Sequence, residues 1–172
     1  MKPIRFLREF FRYPAQVGTV AQSTRFLAKS MAEEINSSRH IIEFGPGTGP
    51  VTKEILNHLP ASGTVTCFEV NSDFCKTLER IGDPRLRIIN DDARNCRKYV
   101  DELKCIVSGL PLVLFEESVI TEILDITAQA EHYIQLQYST LLKKKIKRYF
   151  SDVKIKFVPL NVPPAFVYVC HH

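Results

Sequence analysis

The sequence has no apolar run long enough to cross a bilayer. Its longest candidate, residues 110–126, is interrupted by Pro111 and by three glutamates, whereas a spanning helix needs about 20 mostly apolar residues. We therefore expect no integral membrane protein. The first residues also lack the apolar core of a signal peptide, because Arg5, Arg8 and Arg12 interrupt their apolar side chains.

Paired cysteines are missing as well. The five cysteines are odd in number, scattered, and form no C-x-x-C pair, so we expect neither a zinc site nor a disulfide framework. We expect most of them to be small core side chains in a protein of the reducing cytoplasm. No Ser-His-Asp triad and no set of metal ligands is visible, and no metal is predicted.

A strong charge of one sign is also absent. Lys and Arg total 23 and Asp and Glu total 19, for a formal charge of +4, which allows an anionic partner without requiring one. Apolar residues make up 45% of the 172 residues and charged residues 24%, the ordinary mixture of a folded domain. This length suits one domain.

Strand and helix patterns alternate along most of the chain. Helices are predicted over residues 22–35, 50–59, 72–81, 116–130 and 140–150, with a helical turn at 97–103. Strands are predicted over residues 40–44, 64–69, 86–90, 105–108, 132–138, 153–159 and 166–170. Alternation predicts an α/β fold: a Rossmann-like, mostly parallel sheet of seven strands with helices on both faces. The last two strands, joined by a short loop, predict an antiparallel C-terminal hairpin at the sheet edge.

Three glycines follow the first predicted strand, in Glu43-Phe44-Gly45-Pro46-Gly47-Thr48-Gly49. Such a loop brings the backbone close to a ligand, and ligands of parallel sheets bind at the carboxyl ends of the strands. The spacing is neither that of a P-loop nor the G-x-G-x-x-G of a dinucleotide fold. The alternative is a tight strand-to-helix turn without a ligand.

Two further strand ends carry acids. Glu69, followed by Val70, is expected to accept hydrogen bonds from the hydroxyls of a ribose. Asp92, followed by Ala93, is expected to accept a hydrogen bond from an adenine amino group. The alternatives are a solvated loop carboxylate for Glu69 and a helix N-cap for Asp92. Three strand ends that agree predict a nucleoside ligand.

These motifs resemble the class I methyltransferases that depend on S-adenosyl-L-methionine (SAM). The resemblance extends from Pro14 to Val169 and implies SAM as cofactor and S-adenosyl-L-homocysteine as product. It also implies a cofactor-binding set, which comprises Gln22, Glu43, Gly45, Gly47, Gly49, Glu69, Val70, Asp92, Ala93 and Ser108.

Among these enzymes the chain resembles the bacterial phospholipid N-methyltransferases. Three stretches carry this resemblance: residues 18–28, Ser108-Gly109-Leu110-Pro111, and residues 161–165. The chain departs from the pattern at Gln22, where proline is usual, and at Phe166, where many relatives have a basic residue. The implied reaction is methylation of the amine of phosphatidylethanolamine or a related phospholipid.

A more distant resemblance is to the rRNA adenine dimethylases. Those enzymes carry Asn-Leu-Pro-Tyr/Phe after the fourth strand, where the amide and the aromatic ring hold a flipped adenine. Ser108 and Leu112 occupy these places here, so an RNA substrate is the less expected alternative. A binding module that kept the fold without catalysis is a third hypothesis.

The N-terminal segment is predicted to be a separate amphipathic helix, residues 1–13, ahead of a methyltransferase domain at 14–172. Three arginines face one side and Phe, Leu, Ile and Tyr the other, which suits the surface of an anionic or ethanolamine phospholipid membrane. The alternative is packing on the protein's own core. Five basic residues within 143–148 are either a second lipid or RNA contact or a solvated helix face. We expect a cytoplasmic protein at the inner membrane face.

Methyl transfer to an amine is an in-line displacement, so the chain must align the reacting atoms and exclude water. The resemblance implies that Ser108, Gly109 and Leu110 orient the amine through their backbone carbonyls. Tyr138 is expected to accept a hydrogen bond or to hold the cationic product against its ring. The alternative for Tyr138 is a packed strand residue with a surface hydroxyl.

Overall fold

The structure, a computed structural model, describes residues 20–161 and 163–172. The predicted helix of residues 1–13 lies outside this part of the chain. The side chain of Gln22 also lies outside it, although the helical backbone at this position is described. The predicted roles of both therefore stay predictions.

In this part of the chain, five helices and seven strands alternate, as predicted. The helices are α1 (Val20–Ala32), α2 (Pro50–His58), α3 (Ser72–Glu79), α4 (Glu117–Thr127) and α5 (Lys143–Ile146). The strands are β1 (His40–Phe44), β2 (Thr64–Phe68), β3 (Leu86–Ile89), β4 (Cys105–Ser108), β5 (His132–Gln137), β6 (Asp152–Val158) and β7 (Ala165–His171). Two short 3-10 helices span Ala93–Lys98 and Leu112–Leu114.

The seven strands form one sheet in the order β3-β2-β1-β4-β5-β7-β6. Strands β1 to β5 are parallel, and β7 is antiparallel to both β5 and β6. The predicted mostly parallel sheet with a C-terminal antiparallel hairpin is confirmed. Because β7 is antiparallel to both of its neighbours, β6 runs in the same direction as β5. The carboxyl end of β6 therefore lies at the same edge of the sheet as those of β1 to β5.

Helices cover both faces of the sheet, as predicted, because alternate strand residues point to opposite sides. Leu27 and Met31 of α1 pack with Ile55 of α2 on one face. Ile120 of α4 and Ile146 of α5 pack on the other. All five cysteines are free and buried, which confirms their prediction as small core side chains.

Two helical segments differ most from the prediction, while the helices predicted over 22–35 and 116–130 differ by up to three residues at their ends. The turn expected at 97–103 is the 3-10 helix Ala93–Lys98, because the Asp92 side chain caps its start by accepting the Arg94 backbone N–H. The helix expected over 140–150 is α5, only four residues long. Its N-cap, Leu142, offers no side-chain cap, and neighbouring like charges disfavour a longer helix. Within 20–161 and 163–172, no helix has the length and apolar character needed to cross a membrane.

Candidate active site

The glycine loop, residues 45–49, joins β1 to α2 in a conformation that glycine favours. Gly45, Gly47 and Gly49 all have positive φ angles, of 66°, 58° and 86°, a region that is strained for other residues. The Gly45 N–H donates to the carbonyl of Phe68 at 3.0 Å, which ties the loop to the end of β2. A Cβ built on Gly47 would meet nothing within 4 Å, so the loop is open on that side.

Glu69 lies against this loop. Its side chain is only 7% exposed, yet both carboxylate oxygens accept backbone N–H groups: Gly47 donates to Oε2 at 3.0 Å and Asn71 to Oε1 at 2.9 Å. The Asn90 side-chain amide donates to the Glu69 carbonyl at 2.7 Å. Each carboxylate oxygen keeps a free lone pair, so the group is fixed and can still accept hydrogen bonds from a ligand.

Val70 follows Glu69 with its side chain 69% exposed. An apolar side chain on the rim, next to a fixed carboxylate, is suited to contact one face of a planar ring. Its predicted part in cofactor binding remains a prediction.

Asp92 and Ala93 occupy the next strand end. Both Asp92 oxygens accept from the Arg94 guanidinium, at 3.0 and 2.9 Å, and these hydrogen bonds lower the pKa of Asp92. Ala93 is buried on the α4 face of the sheet. The capping alternative for Asp92 is therefore realised, and any contact with adenine would use the remaining lone pairs.

Glu43 is buried inside the sheet, not in the loop. Its carboxylate is 1% exposed and accepts a hydrogen bond from the Cys67 thiol of the neighbouring strand at 3.3 Å. Burial raises the pKa of Glu43 to about 7. This position places the carboxyl just before the glycine loop.

The acceptor turn, residues 108–111, follows β4 and touches the glycine loop directly. The Gly109 N–H donates to the Phe44 carbonyl at 2.9 Å. A Cβ on Gly109 would lie 2.8 Å from the Gly45 carbonyl oxygen, so only glycine permits this approach. The structure thus brings together the residues predicted to hold the cofactor and those predicted to orient the acceptor.

Ser108 is fully buried at the end of β4. Its hydroxyl oxygen accepts the Leu110 backbone N–H at 3.3 Å. The Ser108 side chain therefore forms a hydrogen bond within the turn, while the Ser108 and Leu110 carbonyls accept hydrogen bonds from outside it.

Gln135 of β5 supplies the partner that the sequence did not point out. Its amide nitrogen lies 3.3 Å from the Ser108 carbonyl oxygen and 3.0 Å from that of Leu110. Its amide oxygen accepts the Tyr133 hydroxyl. The available signal was a glutamine between Ile134 and Leu136, but the strand also carries the polar residues His132 and Gln137, so the pattern did not single out Gln135.

Tyr138 follows β5 at the same edge, half-buried and packed against the α1 face of the core. Burial raises the pKa of Tyr138 to about 12, and a side-chain hydrogen bond with Asn161 opposes that rise. Asn161 also donates to the Pro163 carbonyl at 2.6 Å. Tyr138 therefore connects the end of β5 to the loop between β6 and β7.

Similarity to known proteins fits this geometry. The family model "Ribosomal RNA adenine dimethylase" matches residues 25–146. An ornithine lipid N-methyltransferase of Singulisphaera acidiphila is 26% identical over 179 residues, which cover 96% of this chain and 93% of the relative.

Solved methyltransferase structures share the fold. The 23S rRNA methyltransferase ErmE superposes with a TM-score of 0.61 at 17% identity, over 85% of this chain and 67% of its own. The precorrin-6y C5,15-methyltransferase of Geobacter metallireducens GS-15 superposes with a TM-score of 0.67 at 10% identity, over 83% of this chain and 85% of its own. The chain belongs to the ribosomal RNA adenine dimethylase family and is a SAM-dependent methyltransferase.

Proposed function

We propose that the protein methylates the amine of phosphatidylethanolamine or a closely related aminophospholipid at a membrane surface. The observation that carries this proposal is the build of the acceptor turn. It offers backbone carbonyls for an amine and, at two key positions, no side chain for holding a nucleobase.

The first of these positions is Ser108, whose hydroxyl is buried and bonded within the turn. The second is Leu112, which is fully buried in the core on the α4 face. A flipped adenine needs a polar side chain for its edge and an aromatic ring for stacking. Because neither residue provides these, the site favours a small primary amine over a base.

The chain's similarity to an ornithine lipid N-methyltransferase over nearly its full length supports a lipid amine. That relative's name places its reaction on a lipid nitrogen. The stretch Ser108-Gly109-Leu110-Pro111 and the Asn161–Ala165 stretch support the same class, through their resemblance to phospholipid methyltransferases.

The residues present fit SAM. The glycine loop is open at Gly47, and the fixed Glu69 carboxylate beside it has lone pairs free for ribose hydroxyls. We propose that Gly45, Gly47, Gly49 and Glu69 hold the methionine and ribose parts, with Val70, Asp92 and Ala93 around the adenine. When bound, SAM supplies a methyl group activated by its positively charged sulfur.

The chain's own task is to present a neutral amine in line with that methyl group. A backbone carbonyl oxygen has two lone pairs, and the Leu110 carbonyl uses both, for the Leu112 N–H at 2.9 Å and for Gln135 at 3.0 Å. We therefore propose that the carbonyls of Ser108 and Gly109 accept an N–H of the amine. This orients the nitrogen lone pair towards the glycine loop, which lies against the turn. We propose that the Tyr138 ring holds the methylated, cationic head group.

Contact with a membrane is part of the proposal. Leu141 and Leu160 are exposed by 68% and 65%, and both follow strands whose carboxyl ends lie at the site edge. Lys144 and Arg148 lie close to Leu141 around one cleft. Apolar tips beside basic side chains are suited to an anionic lipid surface, and we propose that this surface is the cytoplasmic face of the inner membrane.

An RNA adenine remains the second candidate, since the family description and the ErmE fold both concern rRNA methylation. It predicts RNA binding that weakens steeply with salt. The lipid proposal instead predicts turnover on vesicles in the absence of RNA.

The test uses the purified protein, methyl-labelled SAM and separate acceptors: vesicles of phosphatidylethanolamine in phosphatidylglycerol, vesicles of ornithine lipid in phosphatidylglycerol, and total bacterial RNA. Label in the phosphatidylethanolamine vesicles, comigrating with methylated ethanolamine lipids, is the expected result. Label in ornithine lipid alone would show that the acceptor is the amine of ornithine lipid and not that of phosphatidylethanolamine. Label in RNA alone would overturn it.

A further inference from the structure

We propose that Gln135 is a positioning residue for the methyl acceptor: it holds the Ser108 and Leu110 carbonyls and thereby sets the orientation of the turn whose carbonyls receive the amine. This inference rests on the proposed role of those carbonyls. It assigns a function to a strand residue that carries no motif.

The contacts of Gln135 converge on the acceptor turn. Its amide nitrogen has two hydrogens and lies within hydrogen-bond distance of three carbonyl oxygens, those of Ser108 at 3.3 Å, Leu110 at 3.0 Å and Leu136 at 2.5 Å. Two of the three belong to the turn. The Leu136 carbonyl, at the shortest distance, takes one hydrogen, and the Ser108 and Leu110 carbonyls share the other. One side chain therefore contacts both carbonyls that flank Gly109.

Gln135 is itself held in one orientation. Its side chain is fully buried, and its amide oxygen accepts the Tyr133 hydroxyl from the same strand and face. An amide can be flipped to exchange its oxygen and nitrogen, but the hydroxyl donor on one side and carbonyl acceptors on the other favour one state. The buried pair thus presents a donor, and not an acceptor, to the turn.

The opposite side of the turn is fixed by backbone alone. Gly109 donates to Phe44, and its Cα faces the Gly45 carbonyl at a distance that excludes a side chain. The turn is therefore clamped between the glycine loop and Gln135. A clamp of this kind fixes the acceptor relative to the cofactor, which is the main source of rate in a transfer that needs alignment.

Gln137 provides a matched control. It lies two residues further along β5, so its side chain points to the same face of the sheet, and it is also buried. Within residues 20–161 and 163–172 its amide nitrogen has no hydrogen-bond partner. Replacing either glutamine by methionine removes one buried amide of equal length from the same strand, but only one of them bonds to the turn.

The experiment compares Gln135→Met and Gln137→Met with the unmodified protein. Total label transferred from methyl-labelled SAM is measured in an extract that contains both lipids and RNA, so that turnover does not depend on which acceptor is correct. We expect Gln135→Met to lower kcat at least tenfold, with the Kd for SAM unchanged within about twofold. Gln137→Met should keep kcat within about twofold.

A second measurement does not need turnover. Amide hydrogen exchange at Gly109 and Leu110 should accelerate in Gln135→Met and stay unchanged in Gln137→Met, because only the first loses the clamp. Tyr133→Phe, which frees the Gln135 amide oxygen, should give a smaller effect of the same kind.

The results separate this inference from the proposed function. Equal kcat values for the two methionine variants, or unchanged exchange in the turn, would overturn the role of Gln135. A parallel loss of SAM affinity and kcat would also overturn it, since the clamp would then serve the cofactor. The identity of the labelled fraction, lipid or RNA, tests the proposed function alone.

Discussion

The site has a cofactor half, formed by the glycine loop and Glu69, and an acceptor half, formed by the acceptor turn and Gln135. Each half is stabilised by a different kind of contact. In the cofactor half, loops hold loops: the Glu69 carboxylate accepts the backbone N–H of Gly47 across 22 residues of sequence. In the acceptor half, a strand interior holds a loop, since Gln135 reaches the carbonyls of Ser108 and Leu110 from within β5. The first arrangement needs particular residue types at the strand ends. The second needs one side-chain amide, that of Gln135, and backbone carbonyls, which every residue has.

This difference explains why the cofactor half can be recognised in the amino-acid sequence and most of the acceptor half cannot. Positive φ angles require glycine at 45, 47 and 49, and a fixed acceptor for hydroxyls requires an acid, so the cofactor half appears as a motif. The carbonyls of the acceptor turn require no particular residue types, apart from glycine at position 109, so they form no sequence motif. Substitutions in each half, and at the contact between them, test whether the two halves contribute independently to SAM affinity and to kcat.

The largest expected effect is the loss of the Glu69 carboxylate. Glu69→Ala removes the acceptor for two backbone N–H groups and, on the proposed assignment, for the ribose hydroxyls. Hydrogen bonds to a charged group are worth about 1.5–3 kcal/mol each. We expect the Kd for SAM to rise about 100-fold by isothermal titration calorimetry. Glu54→Ala, which removes a half-buried carboxylate of α2 that forms an ion pair with Arg25 of α1, is the control and should bind SAM normally. Equal affinity of the two variants would contradict the assignment.

The next effect tests the contact between the halves. Gly109→Ala places a Cβ against the Gly45 carbonyl oxygen, and such overpacking costs about 1–3 kcal/mol. We expect kcat to fall about 30-fold, because the acceptor turn is pushed away from the glycine loop. Gly63→Ala is the comparison: its Cβ would also be tight, at 3.1–3.2 Å, but it lies before β2 at the opposite edge. If both variants lose stability alike and keep kcat, the halves do not depend on this contact.

A smaller effect is expected at the edge of the cofactor half. Asp92→Ala should weaken SAM binding about tenfold, or about 1.4 kcal/mol, if its free lone pairs receive the adenine amino group. Arg94→Ala removes the ion-pair partner and leaves the carboxylate, so it should bind SAM as the unmodified protein does. Unchanged affinity in Asp92→Ala would show that Asp92 is a helix cap only.

The smallest effect lies at the far edge of the sheet, away from both halves. Burial, with repulsion from His171, lowers the pKa of His132 from 6.5 to about 4, while Glu34 opposes the shift. The unfolded chain therefore binds more protons between these pH values, and the free energy of unfolding falls as the pH drops below about 6.5.

We expect this contribution to amount to about 1 kcal/mol between about pH 7 and about pH 5.5. Urea unfolding at several pH values measures it, and His132→Gln should flatten the acid slope. His58→Gln, at the exposed end of α2, should leave the slope unchanged. Activity corrected for the folded fraction should not respond to either substitution, since neither residue is near the site.

The elements were predictable where the pattern is local. All seven strands lie within one residue of the predicted bounds, because apolar runs between turn residues are a local property. The failures lie where capping decides. Asp92 begins the 3-10 helix four residues earlier than expected, and α5 stays short without a cap.

The sequence by itself determined the α/β alternation, the glycine loop and the acids at the strand ends, since each depends on the conformational or chemical needs of single residues. The tertiary structure alone decided that β7 inserts between β5 and β6, that Gly109 meets Gly45, and that Gln135 clamps the acceptor turn. The first two features join residues distant in sequence through backbone groups common to all residues. The third joins a buried side-chain amide to such backbone groups. The physical reason for the difference is that such groups carry no identity, so only the packing of the sheet reveals which of them meet.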